Sequence, residues 1–562
     1  MIDVLGVPAS TKTPGVRVNT IFGGPGTSAG DGPMRMLCVG NMIATALTGA
    51  SPAISVAAGT WQTGGVPTAQ AALVRSEGEA ATLFGYGSEL HLMCWRTLEQ
   101  YPGAPLYAIP VLDPTGGARA AASVYLAGTA TAALTLRVWI AGQRVDVEIA
   151  SGDTVATTVA ALTAAINAVP SLPVVAQYAS GPVSPVTITA KQYGVRGNLV
   201  TIRMELVNGT TALDVPANTA GTTPPAALAV SAGVSVGIYS TADAGLTTKY
   251  LVGGSGTDDA AHATALTAVS KAQYHRVAFA STTNATANDA IDRISAWLTA
   301  QSAPGRGIRM QAVGAQVATL AAAIASGTPS ARTNNPLLQL ALHPKAQHTP
   351  GEIAAQLCAA RLIGDVQAGG STVGEAIDPA TNLDGCNLVS ITESAYEADR
   401  MDPDDPETAL QYGLTALVPS ARAGYVEVTR SVTSRWYDGT GAPHYGVLDT
   451  SDVSATQAIV DELVREHNAT FKGYKLAPDS DTPPKTPRTT TPSLVRAWVH
   501  AQLKTQEEIG RCIEVDARAD LLKVEAQPGS AWRLNVEIPI VPTPGYHVFA
   551  ANARQLSAIT LT

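Results

Sequence analysis

Between residues 124 and 149 the apolar residues fall on alternating positions. They are Val124, then Leu134, Leu136, Val138 and Ile140, then Val145, Val147 and Ile149. A period of two lets a strand bury one face and offer the other to water, so this stretch must fold as half-buried sheet. A single helix follows, with Asp153 as its N-cap and Val155, Val159, Leu162 and Ile166 along one face. Strands resume at 186–189 and 199–206, and a Pro/Thr/Gly-rich stretch closes the region at 208–226. Residues 120–245 therefore read as a β-rich domain set into a chain of different texture.

The flanks carry that other texture. Met36-Leu37-Cys38-Val39 and residues 106–112 are short apolar runs, the mark of fully buried strands. Ser76-x-x-Glu79 is a capping box, in which hydroxyl and carboxylate satisfy orphan N–H groups at a helix start. Phe84-Gly85-Tyr86-Gly87-Ser88 interrupts that helix. Leu90, Met93, Cys94, Trp95 and Leu98 resume helical spacing until Tyr101-Pro102-Gly103 stops it. From 258 to 400 helical and strand patterns alternate, which predicts a return to an α/β layer. Asp289, Ile291, Ile294, Trp297 and Leu298 fit one helix, and a second capping box, Thr349 to Glu352, opens another through Ile353, Leu357 and Leu362. The acidic run 402–407 lacks the alternating aspartates of a calcium loop, and Asp405-Pro406-Glu407 reads as N-cap, N1 and N2.

Further on come an alternating strand at 425–432 and a helix with Ile459, Val460, Leu463 and Val464. A proline-rich loop at 478–492 follows, then a helix with Leu494, Trp498, Leu503 and Ile509, and closing strands at 521–525 and 534–540. The expected fold is α/β (α+β) and multidomain. It has an N-terminal extended arm (1–20), a core α/β domain in two parts (21–119 and 246–400) and the inserted β-rich domain (120–245). A C-terminal α/β domain (401–547) and a C-terminal extended arm (548–562) complete it. No internal repeat is evident.

Composition narrows the function. A length of 562 residues suits about three or four domains. Charged residues make up 14% of the chain, against about 25% in ordinary soluble domains. The net charge of −9 argues against a nucleic-acid partner, which calls for a basic stripe. No apolar run approaches the ~18 residues of a membrane span, so no membrane insertion is expected. The first residues lack a basic region followed by an apolar core, so no secretory signal is expected. Five scattered cysteines, none in CxxC spacing, suit reduced thiols and folding in a cytosol.

The search for chemistry yields little. Gly26-Thr27-Ser28-Ala29-Gly30 matches the nucleophile pattern of serine hydrolases, but no strand precedes it and no helix follows, as that elbow requires. An alternative reading as a virion-associated serine hydrolase or depolymerase rests on Ser28 alone. Gly85-Tyr86-Gly87 lacks the third glycine of a dinucleotide turn, and no GxxxxGK exists for a triphosphate. His343 and His348 flank Pro344 at a spacing that does not share a helix face, and no HExxH occurs. No catalytic residue, cofactor or metal site is expected.

The ordered motifs resemble the tail sheath proteins of contractile-tailed bacteriophages, in the Mu-like branch. They are the Pro14-Gly15-Val16-Arg17-Val18 arm, the strand Leu37-Cys38-Val39-Gly40 and the segment Glu79-Ala80 through Phe84-Gly85-Tyr86-Gly87-Ser88. Arg332-Thr333-Asn334-Asn335-Pro336, residues 519–525 and residues 532–536 continue the series. The resemblance implies a non-enzymatic virion subunit that assembles in the host cytoplasm, as stacked six-fold rings around a tail tube protein. Its other partners are baseplate and tail terminator proteins. A heterologous, non-closing contact generates such a filament. The resemblance further implies that the arms, Pro14 to Val18 at one end and Leu556, Ile559 and Leu561 at the other, add strands to neighbouring subunits. Residues 400–562 then line the tube, with Arg496 and Lys504 as tube-facing candidates, and 120–245 project outward. A related bacteriocin or secretion machine shares this architecture, although a single long chain suits a phage sheath better.

Overall fold

The computed structural model describes residues 35–43, 70–114, 116–178, 185–219, 228–241, 248–257, 259–280, 289–303, 306–325, 334–367, 383–420, 424–437, 449–479, 487–527 and 533–544. The chain begins with β1 (Met36–Asn41), β2 (Ala72–Val74), α1 (Glu77–Phe84), α2 (Glu89–Gln100) and β3 (Leu106–Val111). A β-rich unit follows. Its first elements are β4 (Ala121–Gly128), β5 (Leu134–Ile140), β6 (Gln143–Ile149), α3 (Val155–Asn167), β7 (Val174–Tyr178) and β8 (Val186–Ala190). It continues with β9 (Thr201–Asn208), β10 (Thr211–Asp214), β11 (Ala217–Thr219), β12 (Ala229–Ser231), β13 (Val234–Thr241) and β14 (Lys249–Tyr250). The α/β layer resumes with α4 (Asp259–Ala268), β15 (Arg276–Phe279), α5 (Ala290–Ser302), β16 (Gln311–Gln316), α6 (Leu320–Ala325), β17 (Leu338–Leu342) and α7 (Pro350–Gln367). It ends with β18 (Asn387–Thr392), α8 (Asp405–Gln411), β19 (Thr415–Pro419) and β20 (Tyr425–Val428). The last elements are α9 (Thr450–Phe471), β21 (Lys475–Leu476), β22 (Thr489–Thr490), α10 (Pro492–Glu508), β23 (Lys523–Ala526) and β24 (Leu534–Glu537).

The spine is a nine-stranded sheet in the order β18-β20-β19-β17-β16-β15-β1-β3-β2. Strand β1 is its hub, parallel to β3 on one side and β15 on the other. Parallel pairing continues through β16, β17 and β19, and antiparallel β2, β20 and β18 finish the edges. Successive strand residues point to opposite faces. Met36 and Cys38 therefore join the layer containing α1, α2 and α7, while Leu37 and Val39 join the layer containing α4 and α5. A parallel strand covered on both faces has no polar side, which explains the continuous apolar runs. Strands β19 and β20 lie past residue 400, yet they complete this sheet.

The caps are where the sequence places them, with small shifts. Ser76 Oγ accepts from Glu79 N–H at 3.2 Å, and Thr349 donates N–H and hydroxyl to Glu352 Oε1 at 3.2 and 3.0 Å. Gly85 and Gly87, at φ 89° and 74°, turn the chain between α1 and α2 in a conformation that disfavours other residues. Ser88 then caps α2 by accepting from His91 N–H at 3.0 Å. Four expectations need correction. Thr154, not Asp153, caps α3, because the Asp153 carboxylate is occupied with Ala150 N–H at 2.8 Å. The cap of α8 is Asp404, so Asp405 and Pro406 are N1 and N2. Strand β20 ends at Val428, and downstream Val432 N–H is taken by the Thr415 hydroxyl at 3.1 Å. The proline-rich loop at 478–492 ends in β22, which pairs with β21, and in the first residue of α10.

The β-rich unit is built from two sheets, β10-β9-β5-β6 with β14 on β9, and β11-β13-β4-β8-β7 with β12 on β13. Its own apolar core runs from Ala120 to Leu251 and includes Val159, Leu162 and Ile166 of α3. Its two ends enter side by side. Ala118 and Ser255 exchange backbone hydrogen bonds at 3.0 and 3.2 Å, as do Ala121 and Val252 at 2.8 and 3.1 Å. The C-terminal unit has a smaller core of Ile459, Leu463, Val495, Val499, Leu503, Cys512, Val515 and Leu522. It is tied to the sheet by a polar row along α9. Ser454 accepts from Arg276 and Gln311 at 2.7 and 3.2 Å, and Asp461 pairs with Arg309.

Candidate assembly surfaces

The arm residues Pro14, Gly15, Val16, Arg17, Val18, Leu556, Ile559 and Leu561 lie outside the described residues, as does Ser28. Arg496 and Lys504 lie on α10, and each has an intrachain partner. Arg496 Nη2 donates to the Ala519 carbonyl at 3.0 Å, and Lys504 Nζ pairs with Glu507 and with Asp516 at 2.9 Å. Hydrogen bonds donated to Glu507 and then to Asp516 hold the lysine well above its usual range. Its charge is therefore already balanced within the subunit.

Of the face predicted for α10, Leu503 and the partly buried Trp498 pack on the core, while Leu494 and Ile509 turn outward. Val495, Val499 and Leu503 face the core, whereas Leu494 and Ile509 are 50% and 51% exposed. Two apolar stripes run along this helix about a quarter turn apart, and tertiary packing takes the valine-bearing one. The other, with Leu494, Ala497, Ala501 and Thr505, is open to solvent. Leu521, in the loop that Arg496 touches, is 51% exposed.

Beside α10 lies the antiparallel hairpin β23–β24, in register from Lys523 opposite Glu537 to Ala526 opposite Leu534. Val524, Leu534 and Val536 lean on the C-terminal core. Among the described residues no third strand pairs with it. The Asn334-Asn335 turn has a positioning role. Asn334 Oδ1 accepts from Trp436 and Tyr437 N–H at 2.8 and 3.1 Å, and Asn335 Nδ2 donates to Ser295 Oγ at 2.8 Å.

A polar joint lies under the β-rich unit. Glu89, at the start of α2, accepts from Asn41 N–H at 3.3 Å and meets Arg196 at 3.5 Å, and Arg196 reaches His262 at 3.3 Å. All are buried. Lys191 Nζ donates to the Tyr86 carbonyl at 3.0 Å and to the Pro170 carbonyl at 2.7 Å. Burial lowers its pKa to about 7. Gly87 N–H donates to His91 Nδ1 at 3.1 Å, which leaves Nε2 to donate to Glu77 at 3.0 Å in a neutral ring. Burial, the largest influence on His91, lowers its pKa, in keeping with that neutral form. The sequence signal for this joint is faint, because its partners are far apart and belong to residue types normally found on surfaces.

His343, His348, Glu352 and the cysteines serve packing. Glu352 joins Arg96 and His348 at 2.9 and 3.4 Å, and Cys38, Cys94, Cys358 and Cys512 are buried thiols outside any disulfide. Among the described residues no group of three or more His, Cys, Asp or Glu could hold a metal ion.

The described residues thus form a mixed α/β protein with a two-stranded hairpin and an exposed apolar helix face in its C-terminal unit. Over 147 residues, 26% of its length, it is 33% identical to the Mu-like prophage FluMu tail sheath protein of Haemophilus influenzae. The match covers 30% of that relative's length. No family model matches the chain. Among solved structures, the sheath tail protein Lin1278 from Listeria innocua aligns over 92% of this chain and 94% of its own, with 12% identity and a TM-score of 0.42. The D2–D3 domains of the flagellar cap protein FliD from Escherichia coli align over 25% of this chain and 91% of their own, with 10% identity and a TM-score of 0.11. The chain is similar to the Mu-like tail sheath proteins, the group its ordered motifs resemble.

Proposed function

We propose that the protein is a structural subunit of a contractile phage tail sheath. It polymerises as stacked six-fold rings around a tail tube and shortens to drive that tube through the host envelope. The observation that carries this reading is the β23–β24 hairpin, a sheet of only two strands among the described residues. A strand from a neighbouring subunit can extend it, and main-chain hydrogen bonds then hold the lattice together. The N- and C-terminal arms are the donors in this account. Their apolar side chains alternate with polar or small ones, as an added strand requires.

Similarity to a tail sheath protein and a charge content of 14% support the same reading, since charges are depleted at interface cores. In this arrangement residues 401–547 face the tube and 120–245 face outward. The open apolar stripe of α10 and Arg496 meet the tube, with Lys504 buttressing the helix through Glu507 and Asp516. Tail tube, baseplate and tail terminator proteins are the partners, and the virion tail is the final location after assembly in the host cytoplasm. The extended sheath is a kinetically trapped state and uses no nucleotide. Deleting residues 1–20 tests the arm mechanism. The truncated chain should retain its circular dichroism and melting transition yet sediment as a monomer. Tubes formed by the truncated chain would refute arm exchange.

A further inference from the structure

A β-rich unit joined by two adjacent chain segments is, by connectivity alone, free to swing. Here it also stands on the α/β core at three separate places, and all three are polar. At the first, the turn between α1 and α2 receives the loop after α3. Gly87 lies so close to it that a Cβ there would come within 2.2 Å of the Leu172 carbonyl oxygen. Lys191 Nζ joins the Tyr86 carbonyl on the core to the Pro170 carbonyl on the unit. Pro170 follows the C-terminus of α3, where the helix dipole favours a cation. Beside this, Glu89 N–H donates to Gln192 Oε1 at 3.3 Å and Tyr193 N–H donates to Asp113 Oδ2 at 3.2 Å.

The second footing is the β5–β6 turn. Gly142, at φ 74°, packs on His348 so tightly that a Cβ would come within 2.4 Å of the ring, and Thr201 Oγ1 donates to the Gln347 carbonyl at 2.6 Å. At the third, Thr248 N–H and hydroxyl donate to Asp399 Oδ2 at 2.8 and 2.6 Å, and Arg203 stacks on Tyr396 at 5.5 Å. Apolar contacts tolerate sliding. Buried hydrogen bonds and ion pairs do not, since each displaced group is left buried and unpaired.

We propose that the Gly85–Ser88 turn is a socket and Lys191 its key, and that the three footings lock the β-rich unit to the core as one rigid body. The unit then cannot act as an independently swinging appendage. Any rotation of the core is transmitted to it without lag. This inference concerns the subunit itself and does not depend on the sheath reading. A sheath that never forms leaves it standing, and a flexible unit in a sheath that does form contradicts it alone.

Hydrogen exchange on the full chain, read by mass spectrometry, is the test. In the unaltered protein the Glu89 and Tyr193 amides, whose acceptors Gln192 and Asp113 lie across the joint, should exchange in the slow class of β1 and β15. Rapid exchange at these two amides, with the sheet still protected, overturns the proposal whatever any variant does. In Lys191→Met, exchange of the Glu89 and Tyr193 amides should rise by about 10-fold or more as the joint opens locally, with β1 and β15 unchanged. Unchanged exchange at the joint, or an equal rise throughout the sheet, would show that Lys191 is no lock.

Discussion

Arg96 Nε donates to Glu352 Oε2 at 2.9 Å across the surface where α2 packs on α7, two positions 256 residues apart in sequence. The carboxylate is fully buried, and its other oxygen is taken by Thr349, whose cap it also completes. One side chain therefore starts a helix, neutralises an arginine and fastens two helices of the same layer. Removing Glu352 leaves the buried Arg96 with only the more exposed Glu99 at 2.8 Å, and removing Arg96 leaves the Glu352 carboxylate buried with only His348 and Thr349. Glu352→Leu or Arg96→Met should each destabilise the core by about 3–5 kcal/mol, read by chemical denaturation. The double variant should lose clearly less than the sum, and strict additivity would show that the pair is not coupled.

The same carboxylate sets an acid limit. Burial alone raises its pKa, but Arg96 and His348 overcome that and hold it near 2, against a usual 4.5. The folded state thus favours the ionised form. The contribution, about 3 kcal/mol from such a shift, is complete above pH 4.5 and is lost as pH falls toward 2. His343 acts higher, because burial lowers its pKa to about 4 from 6.5. Folding favours its neutral ring, so that contribution is complete above pH 6.5 and lost as pH falls toward 4. Melting temperature should therefore decline from pH 6.5 downward, and Glu352→Gln should flatten the part below 4.5. A wild-type melting temperature that stays level from pH 6.5 to 4 would count against the His343 assignment.

Gly87 allows no side chain. Gly87→Ala combines a positive φ with a Cβ 2.2 Å from a backbone oxygen, which cannot rotate away. A loss of about 2–4 kcal/mol is expected in thermal unfolding from strain and overpacking together. Gly473→Ala provides the control, with a similar φ of 80° and nothing within 4 Å, and should cost only about 1 kcal/mol. Equal losses at the two sites would mean that the socket adds no constraint.

Adjacent leucine and valine on α10 should separate folding from assembly. Leu494 is half exposed and Val495 is buried. Leu494→Glu should leave stability within about 0.5 kcal/mol yet impair polymer formation, because an exposed position carries little of the fold. Val495→Glu should abolish folding of the C-terminal unit, visible as loss of its melting transition. Normal polymer from Leu494→Glu would exclude this face from the lattice.

These cases show where sequence reasoning reaches. Local signals were legible. The buried parallel strands appear as apolar runs at Met36–Val39, the caps at Ser76 and Thr349 as hydroxyls three residues before a glutamate, and the break at Gly85 and Gly87 as glycine. Distinctions that depend on distant partners were not. Leu494 and Val495 are equally apolar, and only the packing of the β23–β24 hairpin and α9 decides which one is covered. Asp153 and Thr154 are both good caps, and a neighbouring amide settled the choice. Glu89, Arg196 and Lys191 look like surface residues because nothing nearby in sequence reveals the carbonyls and charges they meet in the joint. The helix at 350 was read correctly as capped, while the burial of its capping carboxylate against Arg96 had no local signature at all.

The central claim is that this chain is a subunit built to polymerise around a tube. Electron microscopy of the purified, intact protein tests it most directly. The account predicts hollow helical tubes with six-fold symmetry, in which an added strand from a neighbour lies along β23 or β24. A protein that stays monomeric at every concentration and salt condition, with both terminal arms intact, would contradict it.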